Sequence, residues 1–527
     1  MRHPSTLISN TGLGPAVQLR SLLLSSSRYR IPSSAYFRSL STESLINSSA
    51  NGEHIPGINT PTHKSTAVPL RSVPGSQESL LTQAFSTSSA QPADWDANPD
   101  LSISAFSQLP SKNFGVNQHM IINEEFKEAL RQILWQFKAP IRYAFAYGSG
   151  VFTQSASPTP SQGHPAPPQA IQTVQQGKGK MIDFIFGVSY SQHWHSLNLH
   201  QHRDHYSALG SMGSYVVSKV QDNWGAGVYF NPYVTVNGTL IKYGVVNLDT
   251  LCRDLSEWDT LYLAGRLQKP VKILRDHPSV RLANQVNLLS AVRVALLLLP
   301  SEFTEYQLYS TIASISYMGD LRMSLPAENP QKVNNIVSNQ MANFRRLYAP
   351  LIENLPNVTF NDPQSSQSDW LDNPESNLRL SQDMDPVRRG NMVRRLPKSF
   401  REKLYFQYQA RYQIPRAEFN KMMQEASDED PNRIHRRQGG PFEKRIAADE
   451  HLKDEVRASI SKTIRWPSTV QTIKSIFTAG ISRSWRYLSE KRQKFQDSGK
   501  EQAEPAKPSA KPSAKVPDAQ TDKSKHE

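Results

Sequence analysis

The sequence of 527 residues contains a single cysteine, Cys252. One thiol cannot build a disulfide framework or a cysteine-rich zinc or iron–sulfur site. Long apolar segments are also missing. The best run, Val294–Leu299, ends at Pro300 and is far shorter than the about 20 residues that a membrane-spanning helix needs. The sequence therefore predicts neither a disulfide-stabilised protein nor an integral membrane protein.

Acidic residues are scarce relative to basic ones in residues 1–42 and 385–500, although the overall net charge is only +14. Residues 385–500 contain 26 Lys and Arg against 14 Asp and Glu, whereas residues 43–384 carry a net charge of −3. A surface that follows a nucleic-acid backbone needs concentrated Lys and Arg. We therefore expect no nucleic-acid partner for the central part of the chain.

The first 42 residues contain five arginines, many serines and no acidic residue. This composition is typical of a mitochondrial targeting segment, and the run Leu22–Leu24 is too short for the core of a secretory signal. A plastid-targeting segment or a tail without function would have the same composition, so these alternatives stay open. Residues 43–110 are rich in Ser, Thr, Asn, Pro and Gln and predict a disordered linker, with order beginning near Phe114.

Residues 111–270 predict an α/β domain. A helical pattern over 126–137 precedes two apolar runs of strand character, Ile141–Tyr147 and Met181–Val188. Two further runs, 229–236 and 240–246, flank Asn237-Gly238, which is a strong hairpin signal. The low-complexity stretch 153–180 interrupts this domain, and we expect it to be too polar to pack.

The remaining chain is predicted to be mainly helical. Helical patterns within 284–299 and 305–317 indicate a separate helical domain over 271–355. Residues 356–397 are polar and predict a solvated insertion, residues 398–497 predict basic helices, and residues 498–527 predict a flexible tail.

The first candidate functional residues are Gly148, Ser149 and Gly150, which follow the first predicted strand. Small residues after a strand let backbone N–H groups approach a phosphate. A glycine turn alone is a weak signal, but Asp183 on the next apolar strand strengthens it. A Gly-Ser turn followed by a strand carboxylate is the layout of the nucleotidyltransferase superfamily, in which the turn holds triphosphate oxygens and carboxylates hold Mg²⁺.

That superfamily usually carries a second acid two residues after the first, and here this position is Ile185. Asp254 is the first candidate for the missing metal ligand, with Asp249 and Glu257 as alternatives. A helix N-cap or a surface ion pair would explain Asp254 equally well.

Three cations are candidates for phosphate contacts. Lys242 lies inside an apolar strand, where an unpaired ammonium is costly, so it either extends to solvent or meets an anion. Arg266 and Lys269 follow a glycine just before Pro270 and could hold a phosphate headgroup. They could equally complement the dipole at a helix C-terminus.

Five histidines crowd residues 193–205. Pairs such as His193 and His195 occur in zinc sites, but the spacing does not bring four ligands together on one helix or strand. We expect instead that some of them contact a polar substrate or hydrogen-bond in the core. His200 is the candidate for a phosphate contact.

Residues 469–495 predict an amphipathic helix that lies on an anionic bilayer. Its apolar stripe is supplied by Val470, Ile473, Ile476, Phe477, Ile481, Trp485 and Leu488, with Ile473, Phe477, Ile481 and Trp485 as the membrane-associating candidates. Lys474 and the arginines that follow it are expected to add surface charge. An ordinary helix packed on a core would show the same stripe.

Six motifs together resemble one known family. They are Tyr147–Phe152 (YGSGVF), Met181–Phe186 (MIDFIF), Gly225–Tyr233 (GAGVYFNPY), Ile241–Val246 (IKYGVV), Leu261–Val271 (LYLAGRLQKPV) and Trp466–Thr469 (WPST). The chain resembles the mitochondrial translocator assembly and maintenance proteins, which are mitochondrial CDP-diacylglycerol synthases (phosphatidate cytidylyltransferases). The resemblance runs from about residue 112 to 495, outside 153–180 and 356–397.

The resemblance implies an α/β nucleotidyltransferase-like domain, a winged-helix-like helical domain and a C-terminal basic amphipathic region. It implies transfer of a cytidylyl group from CTP to phosphatidate with Mg²⁺, for cardiolipin synthesis, on the matrix side of the inner mitochondrial membrane, with anionic lipids as partners. By the same resemblance, Gly148 and Ser149 would hold the CTP phosphates, Asp183 would bind Mg²⁺ and Lys242 would neutralise phosphate charge.

Two other functions remain as alternatives. A non-enzymatic assembly factor for the inner-membrane protein translocator could use the same basic helices as a docking surface. An RNA-directed nucleotidyltransferase fits less well, because residues 43–384 are slightly acidic and the second acid is missing. The combination of Gly148, Ser149, Asp183 and Lys242 favours the lipid enzyme.

Overall fold

The computed structural model describes residues 95–96, 99–152, 164–321, 331–366, 368–425, 438–480 and 489. This part of the chain is a mixed α/β structure with a central sheet and many helices, as the sequence predicts at this level of detail. None of the helices within these residues is both long and apolar enough to cross a bilayer. The targeting segment 1–42 and the tail 498–527 lie outside the described residues.

The elements follow in chain order. The strands are β1 Tyr143–Tyr147, β2 Ile182–Val188, β3 Val228–Val236, β4 Thr239–Asn247, β5 Lys272–Arg275, β6 Glu302–Thr304, β7 Val358–Phe360 and β8 Arg379–Gln382. The α-helices are α1 Glu124–Trp135, α2 Gln169–Val174, α3 Ser191–Gln201, α4 Gly213–Asn223, α5 Leu248–Glu257, α6 Ala264–Leu267, α7 Pro278–Leu298, α8 Glu305–Ile315, α9 Lys332–Ser338, α10 Met341–Ile352, α11 Pro386–Arg394, α12 Lys398–Arg411, α13 Arg416–Glu425, α14 Pro441–Ala447 and α15 Leu452–Ala479.

The central sheet has the order β3-β4-β2-β1-β5. Strands β2 and β4 are parallel, and the other neighbours are antiparallel. The four predicted strand regions are confirmed as β1 to β4. The predicted hairpin is confirmed as well, because Asn237 and Gly238 join β3 to β4 with φ values of 47° and 68°, as a type I′ turn requires.

Helix α7 lies at the centre of the molecule. All of its residues except Arg281 are buried, so it lacks the solvent-exposed polar side that a surface helix has. The helices predicted within 284–299 and 305–317 are confirmed as α7 and α8. A single cluster of buried apolar side chains extends from Met120 to Ile464, so the sheet and the helices after it share one core.

The linker prediction for 43–110 is wrong for its last part. Asp96 forms a buried ion pair with Arg293 of α7 at 2.6 Å, with both side chains 4% exposed. Ile103 and Leu109 pack with Phe114 and with Leu282 of α7. Order therefore begins before Phe114, because scattered apolar residues in a polar stretch find partners on a helix that lies far along the chain.

The stretch 153–180 also packs in its described part, residues 164–180, contrary to prediction. Ile171 of α2 is fully buried, and the side-chain amide of Gln175 donates to the backbone carbonyls of Gly150 and Lys180 at 2.9 Å each. The His164 ring accepts from the backbone N–H of Leu240 at 3.0 Å. One apolar anchor and a few polar contacts thus hold the segment on the sheet.

Residues 356–397 are a part of the fold and not a solvated insertion. They supply β7 and β8 to a three-stranded antiparallel sheet of order β6-β8-β7, and they supply α11. Trp370, Leu380 and Val393 are buried. The prediction was wrong because it was based on composition, and most residues around these buried side chains are polar.

Helix α15 begins at Leu452, well before the predicted start at 469, and its last turns are oriented with the polar side inward. Its buried residues there include Ser468, Gln471, Lys474 and Thr478. The apolar residues Trp466, Ile473, Ile476 and Phe477 are 73%, 50%, 46% and 60% exposed. A helix packed on a core by its apolar face would show the opposite arrangement.

Lys474 does not add surface charge as predicted. Its ammonium is buried and donates to the carbonyls of Gln221 and Trp224 at 3.2 and 2.6 Å, at the C-terminal end of α4. These carbonyls are among those that a helix leaves without partners in its last turn. Burial lowers the pKa of Lys474 to about 7. Lys474 therefore fixes α15 on the end of α4.

Replacing the buried anchor of α2 tests whether this segment contributes to stability. We expect Ile171→Ala to lower the free energy of unfolding by about 3 kcal/mol, because it leaves a cavity at a fully buried site. Val174→Ala on the same helix is the matched control. Val174 is 37% exposed, and its truncation should cost less than about 1 kcal/mol. Urea unfolding measures both, and equal small losses would show that the segment does not pack.

Candidate active site

The candidate site lies where β1 ends and β2 and β4 begin. In the register of the sheet, Asp183 of β2 is paired with Tyr147 of β1 on one side and with Lys242 of β4 on the other. The three side chains therefore project from the same face, since directly paired residues share a face. Strand pairing thus brings together residues that are up to 95 positions apart in sequence.

The glycine turn lies directly against this row. Gly148 has a φ of +82°, which glycine adopts without strain, and a Cβ atom there would lie 3.5 Å from Oδ2 of Asp183. The backbone N–H groups of Val151 and Phe152 donate to the Gly148 carbonyl and close the turn. Ser149 is exposed. The turn and the carboxylate are therefore neighbours, as the sequence suggests.

Asp183 and Lys242 form an ion pair. Their Oδ1 and Nζ atoms are 3.7 Å apart, and the side chains are 28% and 20% exposed. The ammonium of Lys242 also lies 4.8 Å from the ring centroid of Phe230, in a cation–π contact. The strand lysine thus has a carboxylate of the protein itself as a partner, and its phosphate contact stays a prediction. Because the pair is partly open to solvent, both groups can be reached by a ligand.

Arg266 of α6 closes one side of the site. Its Nε donates to the Tyr147 hydroxyl at 3.3 Å, and its guanidinium carbon lies 3.9 Å from the ring centroid of Tyr262. Burial raises the pKa of Tyr147, and the positive charge of Arg266 opposes this rise. Sequence reasoning missed Tyr147, Tyr262 and Phe230 as parts of the site. Their position within the family motifs was the one signal that could have indicated them.

Asp254 is not positioned as a metal ligand. It is 4% exposed, and Oδ1 accepts hydrogen bonds from the backbone N–H groups of Thr260 and Leu261 and from the Thr260 hydroxyl. Oδ2 accepts from the N–H groups of Leu263 and Ala264, at the start of α6. Asp254 is therefore neither an N-cap residue nor part of a surface ion pair, the two structural alternatives considered from the sequence, but a buried acid that organises the loop leading into the helix that carries Arg266.

Of the other acid candidates, Asp249 lies away from Asp183. Lys242 lies near the start of β4, while Asp249 follows the opposite end of that strand, at a distance of about 20 Å by strand geometry. Glu257 lies further on in α5, where burial raises its pKa. Within the described residues, the one group with three possible ligand atoms close together is His202, Asp204 and His205, away from Asp183.

The histidine-rich stretch covers the opposite face of the sheet. Tyr243 alternates with Lys242 along β4, and its hydroxyl contacts Asn198 of α3 and His205. Because successive residues of a strand point to opposite faces, α3 lies across the sheet from Lys242. His200, exposed on α3, is therefore not brought to the candidate phosphate site.

The buried histidines make core hydrogen bonds, in agreement with the alternative favoured from the sequence. His195 contacts the Tyr206 hydroxyl and the Gln221 side-chain oxygen, each at 2.8 Å. Burial lowers its pKa to about 4, so the ring is neutral at physiological pH. The rings of His202 and His205 are stacked 4.3 Å apart and nearly parallel. One ion cannot lie in both of these parallel ring planes, so the two rings in this arrangement do not share a metal ion.

Comparison with known proteins gives one consistent result. A family model described as mitochondrial phosphatidate cytidylyltransferase matches residues 130–494. Proteins named mitochondrial phosphatidate cytidylyltransferase from Schizosaccharomyces pombe and Saccharomyces cerevisiae are 46% and 44% identical, over 46% and 49% of this chain. The aligned parts span 58% and 62% of those two relatives. The protein of that name from Bos taurus is 36% identical over 70% of this chain and 94% of its own length.

The structural role of Asp254 can be tested by comparison with Asp249, an exposed acid earlier in α5. We expect Asp254→Ala to reduce the free energy of unfolding by about 3 kcal/mol or more, because five donors lose a charged acceptor. Asp249→Ala, at an exposed position, should cost about 1 kcal/mol or less. Chemical denaturation followed by circular dichroism compares the two. Similar stability of both variants would contradict the assigned role of Asp254.

Proposed function

The chain belongs to the mitochondrial phosphatidate cytidylyltransferase family, and we propose that it transfers a cytidylyl group from CTP to phosphatidate. A phosphate oxygen of phosphatidate attacks the α-phosphorus of CTP, and the bond from that phosphorus to the bridging oxygen of the β-phosphate breaks. The products are CDP-diacylglycerol and pyrophosphate. The observation that supports this most directly is the row formed by the Gly148 turn, Asp183 and Lys242 on one face of the sheet.

The turn after β1 is suited to the triphosphate. Gly148 in its left-handed conformation exposes backbone N–H groups without a side chain between them and a ligand. Ser149 is exposed at the same turn and adds a hydroxyl donor. In the proposed complex these two residues bind the phosphate oxygens of CTP and hold the α-phosphorus in line for attack.

Mg²⁺ fits the carboxylate of this row. The ion is commonly held by one or two carboxylates together with substrate phosphates, and Asp183 supplies one partly exposed carboxylate beside the phosphate turn. When bound, Mg²⁺ would neutralise charge on the phosphate oxygens. Triphosphate oxygens and water would supply the other ligands, so the protein would not need the second acid of the superfamily pattern.

Lys242 and Arg266 supply fixed positive charge around the reacting phosphorus. In the proposed complex Lys242 exchanges part of its contact with Asp183 for a phosphate oxygen and neutralises the charge that develops on the leaving pyrophosphate. Arg266, held by Tyr147 and Tyr262, faces the attacking phosphate. Positioning and charge neutralisation supply most of the catalysis in such transfers.

We further propose that the sheet domain is of the nucleotidyltransferase type and that the following helices with β6, β7 and β8 form the winged-helix-like part. The order β3-β4-β2-β1-β5, with the candidate carboxylate on β2 after a glycine turn, agrees with the first assignment. The three-stranded sheet beside α8 and α11 agrees with the second. The names of the relatives favour the enzyme over the non-enzymatic assembly factor.

The exposed apolar face of α15 is proposed to bind the surface of the inner mitochondrial membrane on its matrix side. Phosphatidate is anchored in a bilayer, and the described helices include none that could span one. Ile473 and Phe477 are exposed, and so is Trp224 (48%), whose backbone carbonyl accepts from Lys474; these side chains can insert at the headgroup boundary. The candidates Ile481 and Trp485 lie outside the described residues.

Anionic lipids are the proposed partners of this face. The segment 398–497 is basic, and each Lys or Arg near an anionic surface adds about 1 kcal/mol of binding free energy. Truncation after Pro467 would not test this surface cleanly, because it also removes Gln471 and Lys474, which hold α15 on the sheet domain. Substitutions of outward-facing residues alone are the appropriate change.

Loss of the Asp183 carboxylate should abolish most of the activity without unfolding the protein. We expect Asp183→Asn to lower kcat by about 100-fold or more, because one preorganised charged group at the reacting phosphates is removed. Conversion of CTP and dihexanoyl phosphatidate to CDP-lipid measures the effect. Asp204→Asn, an exposed acid of the His202–His205 segment, is the control and should keep wild-type kcat. Near-normal turnover in Asp183→Asn would remove Asp183 from the proposed site.

Membrane binding is tested by the variant Ile473→Ser with Phe477→Ser. We expect about 10-fold weaker sedimentation with cardiolipin-containing vesicles, because the burial of two apolar side chains in the bilayer is lost. Turnover of water-soluble dihexanoyl phosphatidate should stay unchanged. Ile121→Ser is the matched control, since Ile121 and Ile473 are both 50% exposed. Unaltered vesicle binding by the double variant would exclude this face as the anchor.

A further inference from the structure

Three cations converge where α6 meets the end of α8 and the start of α9. We call them the α6–α9 basic cluster: Arg266, Lys269 and Lys332. The ammonium nitrogens of Lys269 and Lys332 lie 5.0 and 5.2 Å from the ring centroid of Tyr317. One aromatic ring is thus contacted by two ammonium groups, which places two like charges close together.

The backbone around the cluster allows α6 and the end of α8 to lie close together. A Cβ atom on Gly265 would lie 2.4 Å from the Cβ of Ser316, so only glycine allows α6 to contact the end of α8 so closely. Lys269 donates to the Ser316 hydroxyl at 2.7 Å and to the Gly265 carbonyl. These contacts leave the third N–H of the Lys269 ammonium for another acceptor.

The electrostatics of the cluster favour an anion. Burial, together with the neighbouring positive charges of Arg266 and Lys332, lowers the pKa of Lys269 to about 7. Partly buried cations that repel one another raise the free energy of the folded protein. A bound anion with two negative charges would offset this repulsion, and a singly charged group would do so less completely.

Arg266 connects the cluster to the candidate active site. Its Nε contacts the hydroxyl of Tyr147, whose strand neighbour is Asp183. The charges of Asp183, Lys242 and Arg266 all affect the pKa of the Tyr147 hydroxyl. Lys269 and Lys332 therefore continue a line of positive charge that starts beside the glycine turn and leads away from it along α6.

We propose that the α6–α9 basic cluster is the subsite for the phosphomonoester dianion of the lipid substrate and selects it over phosphodiester headgroups. The inference rests on the proposed function, in which the Gly148 turn and Lys242 are occupied by the nucleotide triphosphate. Arg266 is the group shared between the two phosphates. Lys332 and Tyr317 become specificity-determining residues, and the negatively charged oxygen nearest Arg266 is the one directed to the α-phosphorus.

The test uses the full chain and the variants Lys269→Met, Lys332→Met and Lys269→Arg. With dihexanoyl phosphatidate we expect KM to rise about 10-fold in each Met variant, because one charge-assisted contact is lost, while KM for CTP changes less than about 2-fold. Lys269→Arg keeps the charge and should recover most of the affinity. The monomethyl ester of dihexanoyl phosphatidate should inhibit wild-type enzyme weakly, and the Met variants should lose this discrimination.

Lys272→Met is the matched control. Lys272 of β5 is also a buried lysine with a pKa lowered to about 8, but it donates to the Met120 carbonyl and lies outside the cluster. Its loss should leave both KM values unchanged. A parallel rise of both KM values in the Lys269 and Lys332 variants would assign the cluster to the triphosphate, and unchanged phosphatidate KM would exclude an anion subsite. Both results overturn the proposal.

Calorimetric binding of dihexanoyl phosphatidate separates this inference from the proposed function. If the wild-type protein forms no CDP-lipid, the proposed function fails. The subsite is then still tested, because binding that weakens in Lys269→Met and Lys332→Met but not in Lys272→Met supports it. Binding that is equal in all variants contradicts it, whatever the turnover.

Discussion

The parallel pairing of β2 with β4 is the constraint on which the site depends. It sets Asp183 beside Lys242, and the antiparallel pairing of β1 with β2 adds Tyr147 and the Gly148 turn. A shift of one residue in this register would turn the lysine to the face that α3 covers, where Tyr243 meets Asn198 and His205. Both strands are buried along nearly their whole length apart from Asp183, Lys242 and Asn247, so packing on both faces fixes the register and thereby the site.

The second half of the site is positioned by a carboxylate that takes no part in the chemistry. Asp254 binds four backbone N–H groups and one hydroxyl of the loop 260–264, in which Leu261 adopts a positive φ of 56°. This loop starts α6, and α6 carries Arg266 and Lys269. The cations of the proposed phosphate site are therefore held by a buried acid, and this acid is distinct from Asp183, the proposed metal ligand.

Helix α15 shows how one element can serve two surfaces. Gln471 and Lys474 hydrogen-bond to carbonyls of β3 and of the α4 end, which attaches the helix to the sheet domain through polar contacts. Ile473 and Phe477 on its apolar side are thereby exposed. Polar attachment of this kind explains why a helix with apolar residues on its outer side stays in place in water, and it sets the proposed lipid-binding face in a fixed orientation to the candidate site.

By itself, the sequence determined the strands β1 to β4, the hairpin at Asn237-Gly238, the helices α7 and α8 and the association of the glycine turn with Asp183, because these follow from local periodicity and turn chemistry. The family also followed from its motifs. Only the tertiary structure decided that Asp254 organises a loop and that His200 lies on the far face of the sheet. It also decided that the described residues within 95–110, 164–180 and 356–397 pack on the rest of the protein. The orientation of α15, with Lys474 towards the protein, was likewise decided by tertiary contacts. Each of these depends on partners that are distant in sequence, and composition and periodicity contain no information about which distant residue will be met.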